Sequence, residues 1–302
     1  MRLLPTLAIA VVVPLTGPAW AGQAFCSVSD PAWTLQPAVV LPLLASLILY
    51  VAGIGRLWTH AGRGRGVKPA QVCYFLSGWT AVAAALLSPL HLLAERLFTA
   101  HMVEHEILMA LAAPLLVLSR PAGAFAWGLP PQWSGALGRW ARRRGVVPLW
   151  RRLTEPLTAT VLHAIAIWAW HVPALFEMAL RSEFMHFLQH LSFFATALFF
   201  WQAMLCGAQR QRGTAVLDLF LTSMHTGLLG ALLTLCPRLL YPAQTAWAPL
   251  WGLTPLEDQQ LGGLVMWVPA GFVYLGAALL LAAIMIRGST APAMKVQDAI
   301  PG

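Results

Sequence analysis

Residues 37–57 read PAVVLPLLASLILYVAGIGRL. No charged side chain occurs in this stretch before Arg56. As a helix rising about 1.5 Å per residue it reaches about 30 Å, which is the thickness of a bilayer's hydrocarbon core. Stretches of the same kind follow at 70–91, 98–119, 156–177, 184–206, 215–237 and 260–286. The composition agrees: 59% of the 302 residues are hydrophobic and 10% are charged, against roughly 25% charged in soluble domains. A chain so poor in charge has too little polar surface to face water, so the bilayer is its solvent. The expected fold is all-α, a seven-helix membrane domain over 22–290 with a tail at 291–302.

The net charge of +8 does not call for nucleic acid, because basic residues collect in cytoplasmic loops of membrane proteins. Arg56, Arg63, Arg65 and Lys68 separate spans one and two. Arg120, Arg139, Arg142, Arg143, Arg144, Arg151 and Arg152 separate three and four; Arg210 and Arg212 separate five and six; Arg287 and Lys295 follow seven. The opposite loops hold only Arg96, Arg181 and Arg238. This bias puts the N-terminus outside and the C-terminus in the cytoplasm, which an odd number of spans satisfies. Residues 1–21 read as a secretory signal: Arg2, an apolar run from Leu3 to Leu15, then Ala19-Trp20-Ala21 as a small-x-small cleavage pattern. An uncleaved first helix gives the same sidedness. Gly138 to Arg152 reads either as a topogenic loop or as a basic, tryptophan-bearing interfacial segment. The four cysteines form no CxxC pair, and Cys26 and Cys236 both fall on the outer side, where a disulfide is chemically permitted.

The histidines are unevenly distributed. His91, His101, His105, His171, His186 and His190 fall at the outer face on four different spans, whereas His163 and His225 lie deeper and His60 is in an inner loop. His101/His105 and His186/His190 are each spaced i, i+4, so each pair projects from one helix face about 6 Å apart. Such a pair suits one small cation better than the two axial positions of one haem. Ionisable groups inside spans are costly and point to function, although interfacial histidines also serve as hydrogen-bonded packing residues. Imidazole suits copper, zinc or iron, and nearby thioethers such as Met102 and Met185 favour Cu(I). Metal-bound imidazoles donate their other N–H to carboxylates, a role for which Asp258 and Glu104 are the candidates. Metal ligands are therefore sought among His101, His105, His171, His186 and His190. The stretch His101-Met102-Val103-Glu104-His105 also fits the short H-x-x-E-H pattern, in which Glu acts as a general base. A haem-binding electron-transfer protein and a membrane metalloenzyme thus remain open.

Several blocks together resemble the polytopic CtaG family of cytochrome c oxidase assembly proteins, a multi-helix family unrelated to the single-span copper chaperone of the same name. They are His101-Met102-Val103-Glu104-His105 running through Ala113-Pro114-Leu115-Leu116 to Arg120-Pro121, Trp168-Ala169-Trp170-His171-Val172-Pro173, His186-Phe187-Leu188-Gln189-His190, and Asp258-Gln259-Gln260-Leu261-Gly262-Gly263-Leu264 with Met266-Trp267. The resemblance implies a plasma-membrane factor that matures a haem–copper oxidase, without catalysis of its own. The expected cargo is copper, and the expected partners are an oxidase subunit and extracytoplasmic copper chaperones. His101, His105, His171, His186, His190 and Asp258 match motif positions; Glu104 departs from a pattern in which glutamine is common.

Imidazole binds metal only when unprotonated, so metal affinity should fall below about pH 6.5. Equal affinity at about pH 5 and about pH 7.5, measured by chelator competition, would count against histidine ligation.

Overall fold

The computed structural model describes residues 33–207 and 212–290. The expected signal segment, Cys26 and the 291–302 tail lie outside the described residues. Every regular element among the described residues is helical. In chain order they are α1 (Pro37–Ala61), α2 (Pro69–Leu87), α3 (Pro89–Ala94), α4 (Phe98–Glu106), a π-helical turn (Ile107–Ala112), α5 (Ala113–Ser119) and α6 (Ala122–Gly128). Then come α7 (Pro131–Arg143), α8 (Val146–Leu153), α9 (Pro156–Trp170), α10 (Pro173–Arg181), α11 (Glu183–Cys206), α12 (Arg212–Leu235) and α13 (Pro255–Thr290). The long basic loop is thus largely helical, built from α6, α7 and α8. Trp133 and Trp140 on α7 are 65% and 51% exposed.

Five segments are long and apolar enough to cross a membrane: Pro37–Ala61, Pro69–Leu87, Phe98–Ser119, Gly213–Leu235 and Pro255–Arg287. A sixth crossing is available if α9 and α10, bent by 75° to each other, count as one span. The continuous helix expected over 156–177 is therefore broken. The cause is Pro173, which disfavours the helical conformation in the residue before it; Val172 is accordingly extended, with φ −65° and ψ 124°. The expected 70–91 span likewise stops at Ser88, extended at ψ 171° ahead of Pro89, and His91 sits on a separate short helix. α11 has 24 residues but is not among the five apolar segments; His186, Gln189 and His190 place polar side chains in its first two turns.

Proline also shapes α4 and its continuation. Pro114 lacks the N–H that an α-helix would direct at the Ala110 carbonyl, and the turn before it widens into the π-helical segment Ile107–Ala112. The indole of Trp201 on α11 donates to the Met109 carbonyl in that segment at 2.8 Å, satisfying a group that hydrocarbon would leave unpaired. A second indole bridges helices where Trp170 on α9 donates to the Ser192 hydroxyl on α11 at 2.7 Å.

The main apolar core joins α4, α9, α10, α11, α12 and α13 through Phe98, Met102, Ile167, Phe176, Phe193, Phe200, Trp201, Leu219 and Tyr274. Glycines set how closely these helices approach. On α12 and α13, a Cβ at Gly230 would stand 2.7 Å from the Gly263 carbonyl oxygen, and one at Gly263 equally close to that of Gly230, so only hydrogen fits at either position. Gly262 performs the same service for α4, since a Cβ there would fall against the Phe98 ring, which is fully buried.

Gly262→Ala should therefore destabilise the bundle by about 1–3 kcal/mol through overpacking. Gly276→Ala, where nothing lies within 4 Å, should be neutral or slightly stabilising, by up to about 1 kcal/mol. Thermal unfolding of the two variants in one detergent measures the difference.

Candidate metal centre

Helix α4 begins without a side-chain cap of its own: Leu97 occupies the cap position and is apolar. Its first turn is satisfied from another helix. Both oxygens of Asp258, on the first turn of α13, accept backbone N–H groups, Oδ2 from Phe98 at 2.8 Å and Oδ1 from Thr99 at 2.9 Å. The Thr99 hydroxyl returns a bond to the Asp258 carbonyl at 2.9 Å. A carboxylate at a helix N-terminus also meets the positive end of the helix dipole. Asp258 is completely buried and is fully used in this way. Asp258, a candidate carboxylate partner for a metal-bound imidazole, is held here by two backbone amides. Its contribution to the histidines is to fix the helix that carries two of them.

With α4 so anchored, His101 and His105 project from successive turns, each about 1% exposed. They meet His186 and His190 from α11. One nitrogen each from His101, His186 and His190 lie within 4.8 Å of one another, a spacing able to hold a metal ion. Ring centres are 5.5 Å apart for His101–His186, 5.8 Å for His101–His190 and 4.5 Å for His186–His190. His105 adjoins the group, 4.3 Å from His101 and 5.2 Å from His190. His171 ends α9 at the proline-induced break and lies 6.4 Å from His105. All five histidines thus converge, from three elements of the fold.

The electrostatics of the group are unusual for a buried site. His101, His105, His171, His186 and His190 all present buried ring nitrogens with no hydrogen-bond partner. An unpaired polar group in a dry interior costs about 1–3 kcal/mol, so these nitrogens are either an expense or a donor set. The orientation of His171 favours the latter. Its Nδ1 is 2.7 Å from the Ile167 carbonyl, which can only accept; Nδ1 therefore carries the proton and Nε2 the lone pair. Metal-bound histidines are oriented in the same way, by a backbone carbonyl or carboxylate behind the ring.

Two residues at this end were not among the expected ligands. His91, from α3, has its Nδ1 2.8 Å from Glu104 Oε1, and its ring stacks on His186 at 5.7 Å. Burial opposes charge on His91, but the hydrogen bond and field of Glu104, with Glu95 beyond, outweigh it and raise its pKa above the ordinary value. The partner of Glu104 is thus His91, while His190 Nε2 lies 3.9 Å from the same carboxylate oxygen. Tyr241 is the second. Its hydroxyl donates at 2.6 Å to the His171 carbonyl, which the helix break leaves without an intrahelical partner. The position of His91 on the same face was legible in the sequence; the tyrosine had no local signal.

The deeper histidines take another role. His163 bonds Thr196 at 3.1 Å and Tyr274 at 3.3 Å, and His225 accepts from Trp168 at 3.3 Å. Both join helices away from the cluster. Met102 is buried in the main apolar core beside Phe98.

A bundle of apolar helices with buried imidazoles converging at one end defines a multi-pass membrane protein with a histidine cluster whose spacing could hold a metal ion. The family model described as cytochrome c oxidase caa3 assembly factor (Caa3_CtaG) matches residues 48–288, and the chain belongs to this family. No curated protein and no solved structure matches it. As a member of an assembly-factor family, it acts with cytochrome c oxidase.

Removal of the Asp258 carboxylate should loosen α4. Asp258→Ala is expected to cost about 2 kcal/mol, whereas Asp258→Asn, which keeps one acceptor oxygen, should cost less. The order of the two thermal midpoints against wild type checks this.

Proposed function

We propose that this protein holds copper at an outward-facing histidine cluster and passes it to a subunit of a haem–copper oxidase during assembly. The observation that carries the reading is the set of buried, unpartnered imidazole nitrogens, three of which lie within 4.8 Å of one another. Neutral imidazoles bind copper with exchangeable bonds, and transfer requires exchange. In this reading α11 is a further span, giving seven with the bent pair. The N-terminus then faces outward, and the cluster opens where extracytoplasmic copper chaperones deliver. The location is the plasma membrane, and the role is non-catalytic. In this reading Glu104, whose Oε1 pairs with His91 at 2.8 Å, orients imidazoles and is not a general base. Its place behind His91 and His190 suits an orienting carboxylate.

Copper content and the visible spectrum of detergent-purified protein test the proposal. Wild type grown with copper should retain it in stoichiometric amount, and His101→Ala/His105→Ala should lose it while remaining folded. A Soret band in the wild type would replace the carrier with a haem protein, and absence of copper from both proteins under reducing conditions would end the copper reading.

A further inference from the structure

A single ion on His101, His186 and His190 leaves part of the cluster unexplained. Their nitrogens approach within 4.8 Å of one another, and an ion among them would stand about 2 Å from each. His105 and His171 are not part of that group. Yet both ring nitrogens of His105 and Nε2 of His171 are buried without a hydrogen-bond partner. The two ring centres are 6.4 Å apart, with planes crossing at 77°. Two imidazoles donating to one ion from opposite sides, at about 2 Å each, have ring centres about 6 Å apart. The separation of the ring centres matches that of such a pair.

One neighbour common to the two rings is wholly apolar. Phe193 packs against both rings, 4.6 Å from His105 and 6.1 Å from His171, and has no polar atom. The Ile167 carbonyl fixes the His171 tautomer with the lone pair on Nε2. Tyr241 holds the backbone at the same residue through its carbonyl. The fold thus aims His171 with bonds on two sides of it, which an idle packing residue does not require. His105 is itself held by α4, whose start is bound by Asp258.

We propose that the cluster holds two ions, one on His101, His186 and His190 and a second between His105 and His171, the second being cuprous. This rests on the reading of the cluster as a copper site. Zinc asks for four ligands, whereas a cuprous ion is satisfied by two neutral nitrogens, so the second subsite discriminates by coordination number. His105 is 4.3 Å from His101 and 5.2 Å from His190, centre to centre. An ion leaving either subsite therefore meets donors of the other before it meets hydrocarbon. Movement between them exchanges copper–nitrogen bonds only, with no change of oxidation state.

The test is anaerobic titration of the full-length, detergent-purified protein with Cu(I) against a colorimetric Cu(I) chelator. Wild type should bind two ions per chain, and His105→Phe/His171→Phe one. His101→Ala/His186→Ala should also bind one, with the strong X-ray absorption edge feature of two-coordinate Cu(I). One ion in the wild type that persists in His105→Phe/His171→Phe would keep the carrier reading and remove the second subsite. Loss of all copper from that variant, still monodisperse on size exclusion, would make the five histidines one site and likewise overturn the proposal. No copper in the wild type would overturn the carrier reading itself. Should the phenylalanine variant not fold, the wild-type edge spectrum at two equivalents decides, since absence of any two-coordinate component excludes the second subsite.

Discussion

The buried Asp258 carboxylate is the contact on which the arrangement of this bundle most depends. A transmembrane helix must satisfy its first-turn N–H groups within the protein, because hydrocarbon offers no acceptor. Leu97 supplies none, so α4 takes both of its bonds from α13. Hydrogen bonds to a charged group contribute about 1.5–3 kcal/mol each, enough to set the height of α4 against its neighbour. Gly262 then lets Phe98 lie directly on α13. The register of His101 and His105 follows from these two features together.

A second constraint opposes the first. Most polar groups in the bundle are paired: Trp201 with Met109, Trp170 with Ser192, His163 with Thr196 and Tyr274. The imidazoles of the cluster are not, and neither are the Gln189 amide beside His190 and one oxygen each of Glu104 and Glu106. On the proposed reading of the cluster as a copper site, the imidazole lone pairs are the donor set that a cation would complete. His91 differs because Glu104 already completes it.

The apolar runs were legible because hydrocarbon thickness imposes a length that composition alone reveals; five of the expected spans stand as single apolar segments. The break in α9–α10 was written in Val172-Pro173 but masked by a hydropathy that runs straight through it. The i, i+4 pairs identified His101, His105, His186 and His190, since helical period fixes which face they share. Asp258 stands out in the sequence, but nothing local indicates which donors a carboxylate meets some 160 residues away in the chain.

By itself, then, the sequence determined the solvent of this protein, the helices and the face on which its histidines gather, all of which depend on periodicity and composition within single segments. Only the tertiary structure decided which nitrogens remain unpaired, that His91 takes Glu104, that Tyr241 holds the broken helix at His171, and that one nitrogen each of His101, His186 and His190 come within 4.8 Å of one another. Those outcomes depend on the relative height and rotation of helices distant in sequence, which are set by close packing at glycines and by buried hydrogen bonds between them.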